Sequence, residues 1–302
     1  MDITECTKTG HPNCRAGQAN CRLIAFTSSG AGGNPAGVVL IKDSLSDEFS
    51  PELMQQIAKE IGDSETVFAK EIGKNIFKVR YFSPEGEITF CGHATIALGA
   101  SLRTLHGKKQ FVVVFNNGEL QLDAFSLDDI RFNSPSTHHQ AIHDNELDEV
   151  KRLFGLKSDE IDMRWPPAIV NAGNDHVFIA LKSRECLKQL NYNFSLTQKW
   201  MREKQYITIA LAVRGDNGVI HIRNAFAYGG VYEDPATGAA AAAISGYLRD
   251  AGLSKMTVLK FLQGEDLGVP CQLDTVFTNV ISSNIAVSGK VRLIESLQLK
   301  FK

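Results

Sequence analysis

The sequence predicts an α+β fold of two pseudo-symmetric domains, each a highly curved, barrel-like β-sheet around one central apolar helix. Two segments, residues 90–105 and 237–248, are rich in small and apolar residues nearly all round, and residues 239–243 are five consecutive alanines. A helix without a polar face must be buried on every side. Strands surround both segments in the same order, which indicates a duplicated unit, and a strongly curved sheet would cover such a helix.

The first half of the chain alternates strand and helix patterns. Strands show apolar and polar residues in alternation, whereas the short helix has apolar residues at helical spacing between a Ser-Pro start and a terminal glycine. Asn117-Gly118 is a strong hairpin signal. The predicted elements are two strands in residues 21–43 joined by a Gly-rich turn, a helix at 50–62, strands at 64–71 and 75–84, the first apolar helix, and strands within 110–125.

The second half repeats this order. Strands are predicted within 167–181, where Gly173-Asn174 resembles Gly33-Asn34, and at 205–213 and 219–228, before the alanine helix. With one residue of gap, Arg80 aligns with Arg223 and Thr95 with Thr237, each threonine opening a small-residue helix. The predicted domains are residues 21–131 with a closing strand at 290–302, and residues 132–289, preceded by a mobile extension at 1–20.

Composition excludes several classes of function. The chain has 302 residues, 43% of them hydrophobic and 22% charged, and a formal net charge of −2, which is ordinary for a globular protein. No Lys/Arg run exceeds a pair, so we expect no nucleic-acid or anionic-membrane partner. No apolar stretch is long enough to span a membrane and the N-terminus does not resemble a signal sequence, so a cytoplasmic protein is expected. Its partners should be small molecules or other protein chains.

The six cysteines are expected to be free thiols, because they are scattered over a long chain without an export signal. Cys6, His11, Cys14 and Cys21 form a loose cluster, but their spacing contains no CxxC pair. No metal site is therefore predicted.

The N-termini of the two apolar helices are candidate anion sites, because free N–H groups and the helix dipole attract carboxylates. His93 is near the first, and Asp234 with the segment 237–239 is near the second. Plain alternatives stay open: Asp234 as N-cap with Pro235 at the first helical position, and His93 as a structural residue. Cys91 is either a thiol of lowered pKa that serves as a base or nucleophile, or a buried spectator. Glu65, at the start of a strand, would by itself be ordinary solvated surface.

Four ordered motifs resemble those of the phenazine-biosynthesis isomerase-like (PhzF-like) family, within the diaminopimelate epimerase fold superfamily. They are GNPAGVVL, DSETVF, RYFSP followed by FCGHATIA, and EDPATGAA, and the similarity extends over most of the chain from about Leu23. The resemblance implies that Glu65 is the acid/base and that His93 and Asp234 bind and orient the substrate. It also implies a homodimer, a biosynthetic role, and substrate-binding positions at Asn34, Gly92, Ala94, Thr237, Gly238 and Ala239.

Two positions depart from the family pattern. Ala239 stands where members often have Ser, and Val269 stands where an Arg is common after Gly. These differences weigh against the family's best-known substrate, a dihydro-hydroxyanthranilic acid.

The type of reaction follows from the number of available bases. Racemases and epimerases of this superfamily use a cysteine from each half, but here Cys91 occupies the first of the two positions and the EDPATG segment has no thiol. One carboxylate can instead take a proton from one carbon and return it to another. We therefore predict a cofactor-independent isomerase of a small carboxylic acid, with Glu65 in the interdomain cleft and its pKa raised by burial. The alternatives are a racemase or epimerase assisted by Cys91, and a non-catalytic small-molecule-binding protein.

Overall fold

The computed structural model of the protein describes residues 3–5, 20–42, 49–116 and 118–299. The chain divides into two compact units, Met1–Asn133 with Ser288–Lys302, and Ser134–Val287. Apart from residues 3–5 and 20, the extension predicted to be mobile lies outside the described residues, and so do Cys6, His11 and Cys14. No helix within the described ranges is both long and apolar enough to cross a membrane.

The elements of the first unit agree with most of the predicted pattern. Its strands are β1 (Ile3–Glu5), β2 (Asn20–Ala25), β3 (Asn34–Ile41), β4 (Glu65–Gly73), β5 (Ile76–Phe82), β6 (Glu87–Ile88), β7 (Gln110–Phe115), β8 (Gly118–Ser126) and β9 (Asp129–Asn133), and its helices are α1 (Pro51–Ile61) and α2 (Gly92–His106). The final strand of the chain, Val291–Leu299, pairs antiparallel with β2, as the closing-strand prediction requires.

The second unit adds three helices that the sequence patterns did not predict, α3 to α5. Its helices are α3 (Asp144–Phe154), α4 (Arg184–Lys188), α5 (Phe194–Lys204) and α6 (Gly238–Asp250). Its strands are β10 (His138–Ala141), β11 (Ala168–Asn171), β12 (Asp175–Leu181), β13 (Thr208–Arg214), β14 (Val219–Ala225), β15 (Glu233–Asp234), β16 (Val258–Gln263) and β17 (Cys271–Val276), while β18 (Ala286–Gly289) spans the unit boundary and Val291–Leu299 is β19.

The two sheets share one pairing pattern. In the first unit, β2–β3, β4–β5 and β7–β8 are antiparallel, whereas β3–β4 and β5–β7 are parallel. In the second unit, β11–β12, β13–β14 and β16–β17 are antiparallel, whereas β12–β13 and β14–β16 are parallel. The order of strands around each helix is therefore duplicated, which confirms the predicted fold class.

Each sheet encloses its apolar helix. In α2 every residue from Gly92 to Leu102 is buried, and in α6 every residue from Gly238 to Arg249 is buried. Helix α2 packs on β2, β3, β8 and β9, and α6 packs on β10, β11 and β17. Small residues are required at these contacts: a Cβ on Gly246 would lie 2.5 Å from Thr137 Cβ.

Helix α1 begins and ends where the sequence indicates. Ser50 Oγ accepts a hydrogen bond from Leu53 N, Pro51 is the first helical residue, and Gly62 ends the helix with a left-handed φ of 71°. Two other boundaries differ from prediction. Strand β14 ends at Ala225, because a 3-10 turn at Ala227–Gly229 follows it, and Thr95 lies one turn inside α2 rather than opening it.

Candidate active site

Glu65 is the first residue of β4 and lies beside the start of β3. The two strands run parallel with Ala36 opposite Glu65, so that Asn34, at the start of β3, lies at the same end of the sheet. Glu65 and Asn34 are only 4% and 1% exposed. The interpretation of Glu65 as an ordinary, solvated surface residue is therefore wrong.

The N-terminus of α2 brings Cys91 and His93 to this position. Cys91 is the N-cap, in an extended conformation and without a capping hydrogen bond from its side chain. His93 follows in the first turn between Gly92 and Ala94, and all four residues are buried. The first N–H groups of a helix lack intrahelical acceptors, so this turn offers donors to an anion.

Glu65, Cys91, His93 and Asn34 form one polar cluster, and Ser64 completes it. His93 Nε2 lies 3.0 Å from Glu65 Oε2 and 3.1 Å from Ser64 Oγ. His93 Nδ1 lies 3.2 Å from Asn34 Nδ2 and 3.3 Å from Cys91 Sγ. Ser64 Oγ donates a hydrogen bond to Asn34 Oδ1 at 3.1 Å. The structure therefore places four of the predicted site residues in direct contact.

One atom of this cluster is unsatisfied. Glu65 Oε2 is buried and has no hydrogen-bond donor of suitable geometry among the described residues, although His93 Nε2 is within ion-pair distance. A buried carboxylate oxygen without a donor is costly, and here the charge of His93 opposes that cost.

Electrostatics in the cluster correct two predictions. Burial alone would raise the pKa of Glu65, but the charge of the adjacent His93, helped by the polar groups of Ser64 and Cys91, outweighs burial and holds the pKa of Glu65 below its ordinary value. Burial opposes the charged form of His93 too, but Cys91 and Glu65 hold the pKa of His93 well above its usual value. Burial raises the pKa of Cys91 to about 11, so its thiol is not activated as the helix N-terminus suggested.

The EDPATG loop of the second unit is built differently from the prediction. Asp234 ends β15 and is not the N-cap of α6, and Pro235 is not its first helical residue; the N-cap is Thr237 and the helix begins at Gly238. The carboxylate of Asp234 accepts hydrogen bonds from Thr237 Oγ1 at 2.7 Å and from Ala236 N at 3.4 Å. These bonds fix the loop before the helix.

Gln263, at the end of β16, holds the same loop from the other side. Its Nε2 donates to Asp234 O at 2.6 Å and its Oε1 accepts from Thr237 N at 3.1 Å. Within the second unit, Thr237 caps a buried helix whose first turn contains Gly238 and Ala239, as the first turn of α2 contains Gly92 and Ala94.

Sequence reasoning missed Ser64 and Gln263. Ser64 was available from the DSETVF motif, where it directly precedes Glu65. Gln263 lies far from EDPATG in the sequence, so no local signal could identify it.

The described cysteines Cys21, Cys91, Cys186 and Cys271 are free thiols, as predicted. One group of possible metal ligands is found among the described residues: Glu65, Cys91 and His93.

Comparisons with known proteins agree with this architecture. The model of the phenazine biosynthesis-like protein family matches residues 23–295. An uncharacterized isomerase of Clostridium acetobutylicum is 29% identical over 263 residues, which cover 82% of this chain and 85% of that protein.

Solved structures show the same fold. The Bacillus anthracis phenazine biosynthesis protein of the PhzF family superposes with a TM-score of 0.80 at 23% identity, covering 93% of this chain and 98% of that one. A probable proline racemase from Agrobacterium radiobacter K84 reaches a TM-score of 0.61 at 9% identity, covering 93% and 92%. With the matched family model and the shared fold, the chain belongs to the phenazine biosynthesis-like protein family.

Proposed function

We propose that the protein is a cofactor-independent isomerase of a small carboxylic acid, in which Glu65 moves a proton from one carbon to another. Family membership and relatives named as isomerases support a small-molecule isomerase or epimerase. The observation that carries the finer proposal is the buried Glu65 carboxylate, whose Oε2 faces His93 at 3.0 Å but has no hydrogen-bond donor of suitable geometry among the described residues.

The charge state of Glu65 suits a base. Because the pKa of Glu65 lies below its ordinary value, the carboxylate is ionised at neutral pH before substrate binds. It can then remove a proton from a carbon next to the substrate carboxylate and, once protonated, return that proton to a second carbon. His93 stays beside the carboxylate and orients it, and the free N–H groups at the start of α2 stabilise negative charge that develops on the substrate.

Solvent exchange tests the role of Glu65. Purified protein is incubated in heavy water with a panel of small unsaturated and 2-substituted carboxylic acids, and deuterium at carbon is measured by mass spectrometry. We expect deuterium incorporation into at least one acid, and its loss in Glu65→Gln. Glu119→Gln removes an exposed carboxylate of β8 and is the matched control, which should retain exchange. Exchange that persists in Glu65→Gln at the wild-type rate would show that another group is the base.

A racemase or epimerase that uses Cys91 is the alternative of a different mechanism, since Cys91 Sγ lies 3.3 Å from His93 Nδ1. Two observations oppose it: burial raises the pKa of Cys91, and the N-cap of α6 is Thr237 rather than a second cysteine. Near-normal turnover in Cys91→Ser would exclude this mechanism. Ligand-induced stabilisation without turnover or exchange would instead support a non-catalytic binding protein. The homodimer and the biosynthetic role stay predictions.

A further inference from the structure

We propose that Glu65, Cys91 and His93 also form a Zn²⁺-binding site, and that Zn²⁺ bound there inhibits the enzyme. The three residues offer one oxygen, one sulfur and one nitrogen, and these ligand atoms all lie within 4.8 Å of one another. Zinc prefers such mixed S, N and O ligands in tetrahedral sites. Metal binding itself does not depend on the proposed function, whereas inhibition rests on Glu65 being the base.

The distances between the ligand atoms fit a tetrahedral ion. Typical Zn–N, Zn–O and Zn–S bonds place tetrahedral N and O ligands about 3.4 Å apart and N and S ligands about 3.6 Å apart. His93 Nε2 lies 3.0 Å from Glu65 Oε2 and 3.8 Å from Cys91 Sγ. The two distances from His93 Nε2 are thus within a few tenths of an ångström of the tetrahedral values, and the Glu65 oxygen and Cys91 Sγ lie within 4.8 Å of each other.

Charge and orientation also favour the ion. Glu65 Oε2 has no donor of suitable geometry among the described residues, so it can accept a metal without losing a hydrogen bond. Zn²⁺ binding releases two protons to solvent, one from the Cys91 thiol and one from the protonated His93, and the Glu65 carboxylate and Cys91 thiolate then neutralise the two charges of the ion. For Nε2 to bind the metal, His93 must carry its proton on Nδ1, and the Asn34 amide, whose Nδ2 lies 3.2 Å from Nδ1, must turn its oxygen toward that N–H group. Ligating histidines are commonly oriented by an acceptor at their second nitrogen.

The site would oppose catalysis because the metal occupies the carboxylate that is the base of the proposed reaction. A Glu65 carboxylate bound to Zn²⁺ is a much weaker base than the free carboxylate, and the ion would also fix His93. Inhibition should therefore be reversible and relieved by a chelator.

Cobalt spectroscopy and zinc titration test the proposal on the full chain. The background carries Cys6→Ser and Cys14→Ser, because those two thiols could bind metal independently of the site. We expect one Zn²⁺ per chain by isothermal titration calorimetry, and with Co²⁺ a thiolate-to-cobalt charge-transfer absorption band. Cys91→Ser should abolish the band, and Cys91→Ser and His93→Gln should each weaken Zn²⁺ binding at least about tenfold. Glu65→Gln should weaken binding but keep the band.

Cys186→Ser is the matched control, because Cys186 is a half-buried thiol that lies 3.8 Å from Glu160 in the second unit. It should change neither affinity nor absorption. Absence of the band in the background protein, which needs no active-site variant, overturns the site, and so does equal affinity of Cys91→Ser and Cys186→Ser. If metal binds as described but deuterium exchange is insensitive to Zn²⁺, the site stands and the assigned role of Glu65 fails.

Discussion

His176 is the residue whose protonation should affect the fold most directly. It lies at the start of β12 and is only 1% exposed. Its Nδ1 lies 2.8 Å from Thr208 Oγ1, and the Thr208 hydroxyl donates a hydrogen bond to Asn224 Oδ1 at 3.2 Å. Its Nε2 has no partner among the described residues. Burial lowers the pKa of His176 to about 4, against an opposing effect of Asp175. The folded protein therefore holds this imidazole neutral.

Because His176 is held neutral in the fold, it makes the folded protein less stable as the pH falls. The unfolded chain binds a proton at this histidine below about pH 6.5 whereas the folded protein does so only below about 4, so stability is lost as the pH falls through that interval. Between pH 7 and pH 5 we expect His176 to contribute a loss of about 2 kcal/mol in the free energy of unfolding. Urea unfolding at the two pH values measures this loss.

His176→Gln isolates the contribution of His176. The glutamine does not titrate, and its amide can still bond to Thr208. The loss between pH 7 and pH 5 should be smaller in the variant by about 2 kcal/mol. Subtracting the loss in the variant from the loss in the wild type cancels the opposite effect of His93, whose pKa is raised in the fold. An identical pH dependence of the two proteins would show that His176 is not held neutral.

At the same scale, the sequence identifies the reacting groups better than their surroundings. Glu65, His93 and Asn34 lie in motifs of specific chemistry, and the structure brings them within hydrogen-bond distance of one another or of Ser64. Their charge states could not be predicted. The pKa of Glu65 depends on His93, which is distant in sequence and becomes its neighbour only when α2 meets β4.

At the level of elements, the duplication includes an ion pair. Arg80 in β5 and Arg223 in β14 occupy the same position of equivalent strands, and each pairs with a glutamate of the following short strand, Glu87 or Glu233. Arg80 and Glu87 are 25% and 29% exposed at the side chain, whereas Arg223 and Glu233 are 9% and 1% exposed. Arg223 Nη1 also donates to Lys188 O at 3.0 Å. The aligned arginines thus reflect a shared element contact.

The two ion pairs should differ strongly in energetic effect. Glu233→Gln leaves a buried guanidinium without its charge partner, and we expect it to destabilise the protein by about 3–5 kcal/mol. Glu87→Gln breaks a more exposed, solvent-screened pair and should cost no more than about 1 kcal/mol. Denaturant unfolding of both variants at pH 7 compares them directly. Equal effects of the two substitutions would contradict the assignment of the buried pair as the structural one.

Elements with a strong repeat of apolar residues were predictable, and short or weakly patterned elements were not. The predicted helix at 50–62 corresponds to α1, and the strand at 75–84 corresponds to β5. Helix α5 buries only Thr197 and Met201, so its apolar stripe is faint. Strand β15 has two residues, too few for an alternating pattern, and this is why Asp234 was mistaken for a helix cap.

At the scale of the whole molecule, the two units differ in continuity. The second unit, Ser134–Val287, is one uninterrupted segment that contains its own paired strands and the buried helix α6. The first unit takes β19 from the opposite end of the chain, where Val291 pairs with Ala25 and Leu293 with Leu23 in β2. The first unit therefore cannot complete its sheet until Val291–Leu299 has been synthesised.

This difference predicts how fragments of the chain behave. We expect residues 134–287 to fold alone and to unfold cooperatively in urea, because the fragment keeps the paired strands from β10 to β17 and buries α6. Residues 1–133 alone should lack a cooperative transition, since β2 loses the hydrogen bonds and apolar cover that β19 supplies. Adding a synthetic peptide of residues 288–302 should restore the transition, with a midpoint that rises with peptide concentration. Circular dichroism and urea titration measure both effects. Cooperative folding of 1–133 without the peptide would show that β19 is dispensable, and failure of 134–287 to fold would show that the second unit depends on the first.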